Sequence, residues 1–151
     1  MREHIHAELK AAIQNKQKRK TAMLRLILTA LDDRVLAARK QGKDGLSDHE
    51  VKEMLYKMIS QREHSARAYD EAGQIDLAQQ EREEIDVISA LMPKQLDAEQ
   101  VRSACRNVID ELGAEGLRDI GKAMNALKQR YDGQMDFGRA SGVVKDMLRC
   151  D

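Results

Sequence analysis

A single proline lies near the middle of this 151-residue chain, within the stretch ALMPKQL at residues 90–96. Proline lacks a backbone donor and disfavours helical angles in the residue before it, so a helix is expected to end here. Just after it, Asp97 and Gln100 have the spacing of a capping box, which predicts that another helix begins at once. The chain is therefore predicted to divide into an N-terminal helical domain, residues 1–93, and a smaller C-terminal bundle, residues 94–151.

The composition favours helices over sheets. Aromatic residues make up 3% of the chain and tryptophan is absent, so residues that favour strands are scarce. The apolar content depends on Leu, Ala, Met and Ile, and Lys, Arg, Glu and Gln are abundant, all of which suits helices. We predict an all-α protein, with long antiparallel helices in the N-terminal part and a three-helix bundle in the C-terminal part.

Apolar residues recur at spacings of three and four through most of the chain, which predicts amphipathic helices. The stripe of the second helix includes Leu36 and that of the fourth includes Leu77, so both side chains are expected to face a core. A glycine turn at Ala72-Gly73 joins the third and fourth helices, which must then pack antiparallel. The pattern places helices at residues 2–15, 21–40, 48–72, 74–91, 98–112, 117–131 and, after a cap at Asp136, 137–148.

The sequence carries no mark of a membrane or secreted protein. No stretch approaches the roughly 18 apolar residues that a membrane span needs, and the first residues lack the apolar core of a signal peptide. Cys105 and Cys150 are the only cysteines and lie far apart, which suits reduced thiols better than a disulfide. We therefore expect a cytoplasmic protein that does not associate with membranes.

The net charge is zero, but the charges are unevenly distributed. Residues 1–43 contain 11 Lys and Arg against 4 Asp and Glu, residues 44–100 contain 6 against 14, and residues 101–151 contain 9 against 8. A basic first third can attract phosphate groups even when the whole chain is neutral. Alternatively, the oppositely charged parts face each other in the fold.

The densest positive segment contains Lys18, Arg19 and Lys20. These three residues form either a phosphate-contacting corner or the solvated start of a helix. We refer to them below as the basic corner.

None of the catalytic motifs that the sequence suggests is complete. Residues 116–123, GLRDIGKA, approach a phosphate-binding loop, but Ala123 replaces the hydroxyl that binds magnesium and no strand precedes the segment. The four histidines lack the spacing of a zinc protease. Cys105 lies on an apolar stripe, where a small buried side chain is expected. We predict no catalytic residue, no metal site and no cofactor.

Three sequence blocks taken together carry a family resemblance. They are QRE at 61–63 with YDEAGQIDL at 69–77, ALMPKQL at 90–96, and DIGKAMNAL at 119–127. In this order and at these distances they resemble the GatB/YqeY family, and specifically its free-standing YqeY-like proteins. The family's domain also forms the tail of the GatB subunit of the tRNA-dependent amidotransferase, which amidates Glu-tRNA(Gln) or Asp-tRNA(Asn) with glutamine.

The resemblance implies an all-helical, tRNA-interacting accessory module without an active site, because in the amidotransferase the chemistry lies on other domains. The partners it implies are tRNA and an amidotransferase or aminoacyl-tRNA synthetase. By position, the tRNA-facing surface is expected at Gly121 and Lys122, joined by Arg118 and Lys128. The alternative is that Gly121 permits close helix packing and Lys122 is simply solvated.

Two other functions stay open at the level of sequence. One is a protein-interaction module that docks on an amidotransferase or synthetase through the acidic middle of the chain. The other is a carbon–nitrogen ligase that uses glutamine as the amide donor, as the naming of the family suggests.

Overall fold

A computed structural model describes residues 1–149 of the chain. These residues form seven α-helices and one short 3₁₀ helix, with no strand among them, which confirms the predicted all-α class. None of these helices is apolar over a stretch long enough to traverse a lipid bilayer. The helices are α1 Arg2–Gln14, α2 Lys18–Lys40, α3 Asp48–Glu71, α4 Ile75–Ala90, α5 Ala98–Leu112, α6 Ile120–Arg130 and α7 Phe137–Arg149, and the 3₁₀ helix Leu117–Asp119 precedes α6.

The helices form two compact units, each with its own hydrophobic core. The first unit is Met1–Met92, and the second begins at Pro93. Leucine, isoleucine and methionine side chains from α1 to α4 fill the first core, among them Ile5, Leu24, Ile27, Leu31, Met54, Leu55 and Ile88. Smaller side chains from α5, α6 and α7 fill the second, among them Cys105, Val108, Ala123, Leu127, Ala140 and Val144.

Helices α3 and α4 pack against each other as an antiparallel hairpin, as the glycine turn predicted. Close to the turn Asp70 forms an ion pair with Arg82, and farther along the hairpin Arg62 Nε lies 3.0 Å from Glu84 Oε2. Gly73 has a φ of +75°, a backbone angle that favours glycine, and it reverses the chain between the two helices.

The hairpin continues beyond the core of its unit. The residues of α3 and α4 that pack against this core end at Ile59 and Val87. Between these two positions the only buried side chains are the small ones of Ala66 and Ala78, where the two helices meet. We call this part of the hairpin, residues 60–86, the arm.

Two leucines predicted to face a core are exposed instead. Leu77 lies on the arm, beyond the core of the first unit, and it is 42% exposed. Leu36 is 55% exposed. It is five residues after the buried Leu31, and five residues turn a helix by about 140° beyond a full circle, so Leu36 points away from the core.

Helix boundaries differ from the predicted ones at two places that concern the charged residues. Helix α2 begins at Lys18, so the basic corner occupies its first turn. The predicted helix 117–131 begins as the 3₁₀ helix and becomes α-helical only at Ile120. The capping box predicted at Asp97 is confirmed at the start of α5, and Ser47 with Glu50, which has the same spacing in the sequence, forms another at the start of α3.

The segment that follows the proline is tied to the turn between α6 and α7. The side-chain amide of Gln95 donates hydrogen bonds to the carbonyls of Pro93, at 2.7 Å, and Gly133, at 2.6 Å. The N–H of Leu96 donates to the carbonyl of Gln134 at 2.8 Å. Gly133 is buried, so its carbonyl depends on a partner from the protein.

Replacing Gln95→Ala removes that partner and should destabilise the second unit by about 1–2 kcal/mol. Hydrogen–deuterium exchange read by mass spectrometry localises the effect. Exchange should accelerate in peptides from α5 to α7 and stay unchanged in peptides from the first unit. Gln129→Ala, an exposed change on α6, serves as the control, and equal exchange in the two variants would contradict this role of Gln95.

Candidate nucleic-acid interface

The four residues that the resemblance selected lie on one side of the helix that starts at Gly121. Each residue turns an α-helix by about 100°, so Gly121, Lys122 and Lys128 fall within an arc of about 120°. Ala123 and Leu127, which are buried in the core of the second unit, lie on the opposite side. Arg118 precedes α6 by one turn of the 3₁₀ helix and is exposed, like the other three. We call the surface of Arg118, Gly121, Lys122 and Lys128 the α6 face.

The cations of the α6 face keep their charges unpaired. Among the residues that the structure describes, no carboxylate lies within 4.0 Å of the charged nitrogens of Arg118, Lys122 or Lys128. Arg130, at the end of the same helix, is different, because its Nη2 lies 2.6 Å from Glu111 Oε2. Exposed amide side chains, those of Asn125 and Gln129, fall within the same arc as the cations.

Asp119 is the one carboxylate beside these cations within α6 and its 3₁₀ helix, and it is not among the residues predicted from the sequence. Its Oδ2 accepts a hydrogen bond from the N–H of Glu115 at 3.0 Å. This hydrogen bond, with the positive charges of Arg118 and Lys122, lowers the pKa of the Asp119 carboxyl. Asp119 is thus ionised at neutral pH and weakens the positive field of the α6 face. Its position between Arg118 and Lys122 is the feature of the sequence that could have indicated this effect.

The surroundings of Gly121 are open. A side-chain carbon added at this position would meet no atom within 4 Å, so close helix packing does not explain the glycine. The amides just before it are already used: the N–H of Asp119 donates to the carbonyl of Gly116 at 2.9 Å, and that of Ile120 donates to the carbonyl of Leu117. An approaching phosphate would therefore meet the cationic side chains of the α6 face first.

The basic corner is more strongly neutralised than the α6 face. Arg19 Nη1 lies 2.7 Å from Glu83 Oε2 on α4, and Lys20 Nζ lies 3.3 Å from Glu8 Oε2 on α1. Lys18 is exposed in the first turn of α2. Arg19 and Glu83 also border an open groove of about 290 Å³ between α2 and α4, which Met23, Leu26 and Val87 line with apolar surface.

The ion pairs explain part of the uneven charge distribution along the sequence. Arg19, in the basic first third, pairs with Glu83 in the acidic middle. This contact agrees with the alternative that the oppositely charged parts of the chain face each other. The other carboxylates of the middle that form ion pairs across the hairpin, Glu84 and Asp70, do so with arginines of that same region, Arg62 and Arg82. The amino group of Met1, 3.8 Å from Asp48 Oδ1, is a second contact between the basic first third and the acidic middle, so the ion pairs include both contacts between these two regions and contacts within the hairpin.

Among the described residues, the features nearest to catalytic motifs are a cysteine, potential metal ligands and the segment 116–123. Cys105 is fully buried, and this burial raises the pKa of its thiol, which suppresses the nucleophilic thiolate. Cys150 lies outside the described residues. Within residues 1–149, no three His, Cys, Asp or Glu side chains are close enough to hold a metal ion. Residues 116–123 form a 3₁₀ turn and a helix start, without the preceding strand of a phosphate-binding loop.

The comparison with protein families agrees with the three sequence blocks. A family model described as Yqey-like protein matches residues 2–148. No curated protein matches the chain. Because the family match extends over nearly all of the sequence, the chain belongs to the Yqey-like protein family.

Proposed function

We propose that this protein is a tRNA-interacting accessory module with no catalytic activity of its own. This role corresponds to that of the tail of the amidotransferase GatB subunit, which the sequence blocks resemble. The observation that carries the proposal is the α6 face. There Arg118, Lys122 and Lys128 stand exposed and unpaired, within the described chain, around an unobstructed Gly121.

The chemistry of the α6 face suits the backbone of a folded RNA. Its cations attract phosphates, and the amide groups of Asn125 and Gln129 on the same arc can hydrogen-bond to phosphate and ribose oxygens. The sequence has one Phe, three Tyr and no Trp, so platforms on which unpaired bases stack are scarce. Recognition through backbone and shape, the usual way in which structured RNA is read, is the mode that these residues support.

The proposed lack of catalysis is supported by the burial of Cys105, the one cysteine within the described residues. Cys105 is buried with its pKa raised. Glutamine-dependent amide transfer needs an activated nucleophile to release ammonia, and a buried neutral thiol does not supply one. Release of ammonia from glutamine by the purified protein would overturn this part of the proposal in favour of a carbon–nitrogen ligase.

Docking on a synthetase or amidotransferase through acidic side chains is less well supported. Asp70, Glu83 and Glu84 pair with arginines of the same unit, which lowers the negative charge available to a partner protein. Affinity capture from an extract treated with ribonuclease distinguishes the two roles. A synthetase or amidotransferase retained after RNA digestion would support protein docking, and its loss on digestion would support tRNA binding.

The proposal predicts salt-sensitive binding of folded tRNA that depends on the α6 face. The logarithm of the association constant should fall with the logarithm of salt concentration by roughly 0.7–0.9 per phosphate contacted. The double variant Arg118→Gln with Lys122→Gln should reduce this slope by about 1.5 and weaken binding about tenfold at roughly 0.1 M salt. Fluorescence anisotropy of labelled tRNA provides the measurement.

The matched control is Lys94→Gln with Lys145→Gln, which removes two exposed positive charges elsewhere in the second unit. This control should retain binding close to that of the unmodified protein. Equal weakening in both double variants would mean that total charge, and not the α6 face, determines affinity. No binding of tRNA by the unmodified protein at about 50 mM salt would refute the proposed function itself.

A substitution at Asp119 should strengthen tRNA binding, whereas the substitutions at Arg118 and Lys122 should weaken it. Asp119→Asn removes the negative charge beside Arg118 and Lys122 while keeping an oxygen that can accept the hydrogen bond of the Glu115 N–H. Removing the repulsion should strengthen tRNA binding roughly twofold to fivefold at low salt. Because the pKa of Asp119 is lowered, mild acidification leaves the carboxylate ionised and should not reproduce the gain. Glu99→Gln, an exposed change on α5, is the control, and an Asp119→Asn variant that binds no more tightly than this control would contradict binding of phosphate at the α6 face.

A further inference from the structure

A second group of unpaired cations lies on α3, far along the sequence from the α6 face. Five exposed side chains, spaced by one, three and four residues, line one open depression of about 440 Å³ on this helix. They occupy an arc of about 120°, on the side away from the buried Ala66. The five are Lys57, Ser60, Gln61, His64 and Arg67, and we call them the α3 stripe.

The positive charges of the α3 stripe are available for an external partner. Among residues 1–149, no carboxylate lies within 4.0 Å of the charged nitrogens of Lys57 or Arg67. Carboxylates border the stripe at both of its ends and along one edge. Glu53 precedes it by one turn and pairs with His49 Nε2 at 3.1 Å, Glu71 follows it by one turn, and Glu63 lies at its edge and is half-buried.

The position of the stripe makes it accessible. Four of its five residues lie on the arm, which continues past the core of the first unit. The backbone beneath the stripe is one continuous helix of 24 residues, so the five side chains keep a fixed spacing. Lys57 and Arg67 are ten residues apart, which corresponds to about 15 Å along the helix axis.

We infer that the α3 stripe is a second surface for the phosphate backbone of a folded RNA. This inference rests on the proposed function and assigns to the first unit a share in binding the same class of ligand. Two cations separated by about 15 Å can contact phosphates that are not adjacent, and the hydroxyl and amide of Ser60 and Gln61 lie between them as hydrogen-bond partners for phosphate and ribose oxygens.

The composition of the stripe argues against the other polyanions that a cell offers. A helix that lies on a lipid surface buries an apolar face among the headgroups, and none of the five side chains is apolar. A partner protein usually buries an apolar centre in its interface, and the five polar side chains of the stripe offer none. RNA is therefore the partner that these residues favour.

The test uses the full chain and the double variant Lys57→Gln with Arg67→Gln, titrated with labelled tRNA over a range of salt concentrations. Loss of two phosphate contacts should lower the salt slope by about 1.5 and weaken binding about tenfold at roughly 0.1 M salt. Each single substitution should produce about half of the change in slope. The control is Arg25→Gln with Arg34→Gln, which removes two exposed charges from opposite sides of α2 in the same unit. Far-UV circular dichroism verifies that every variant keeps its helices.

The outcomes separate this inference from the proposed function. Weaker binding and a lower slope for the stripe variant, but not for the control, would support the inference. Unchanged binding by the stripe variant, while Arg118→Gln with Lys122→Gln still weakens it, would overturn the α3 stripe and leave the α6 face intact. Binding of poly-glutamate that the stripe variant loses, without any loss of tRNA binding, would assign the stripe to an acidic protein and overturn the inference.

Discussion

Burial of one apolar side of each helix is the constraint on which the rest of this structure depends. Isolated helices of this length are marginal in water, and packing of the apolar side stabilises them. In α6 the burial of Ala123 and Leu127 turns Gly121 and Lys122 outward. In α3 the pairing of Ala66 with α4 turns the α3 stripe outward in the same way. Packing thus decides which charged residues any partner can reach.

Ion pairing then divides the exposed cations into two kinds. Arg19, Arg62 and Arg82 lie against carboxylates of α4 or α3 and are partly neutralised. Such surface pairs add little to stability, but they reduce the field that an approaching phosphate meets. The α6 face and the α3 stripe are left without such pairs within the described chain. The zero net charge of the sequence therefore coexists with local positive surfaces, a condition for salt-sensitive binding of RNA.

The sequence was sufficient for the features that depend on local chemistry and failed for those that depend on neighbours. The capping boxes at Ser47 and Asp97 and the turn at Gly73 follow from side-chain spacing and backbone angles, and the structure contains them. The exposure of Leu77 could be predicted only by knowing that the hairpin continues beyond the core of its unit. The pairing of Arg19 with Glu83 joins residues 64 positions apart, and no local sequence pattern predicts it. The α3 stripe could not be predicted for the same reason. Its cations differ from Arg62 on the same helix because no carboxylate of the described chain pairs with them.

The central claim is that exposed, unpaired lysines of this scaffold contact the phosphates of a folded RNA. Acetylation of lysines by a small reagent, quantified by mass spectrometry with and without saturating tRNA, tests it most directly because it reports every lysine at once. Lys57 and Lys122 should be acetylated more slowly when tRNA is present, while Lys20, which Glu8 already holds, should react at the same rate. Equal rates at Lys57 and Lys122 with and without tRNA would contradict the account.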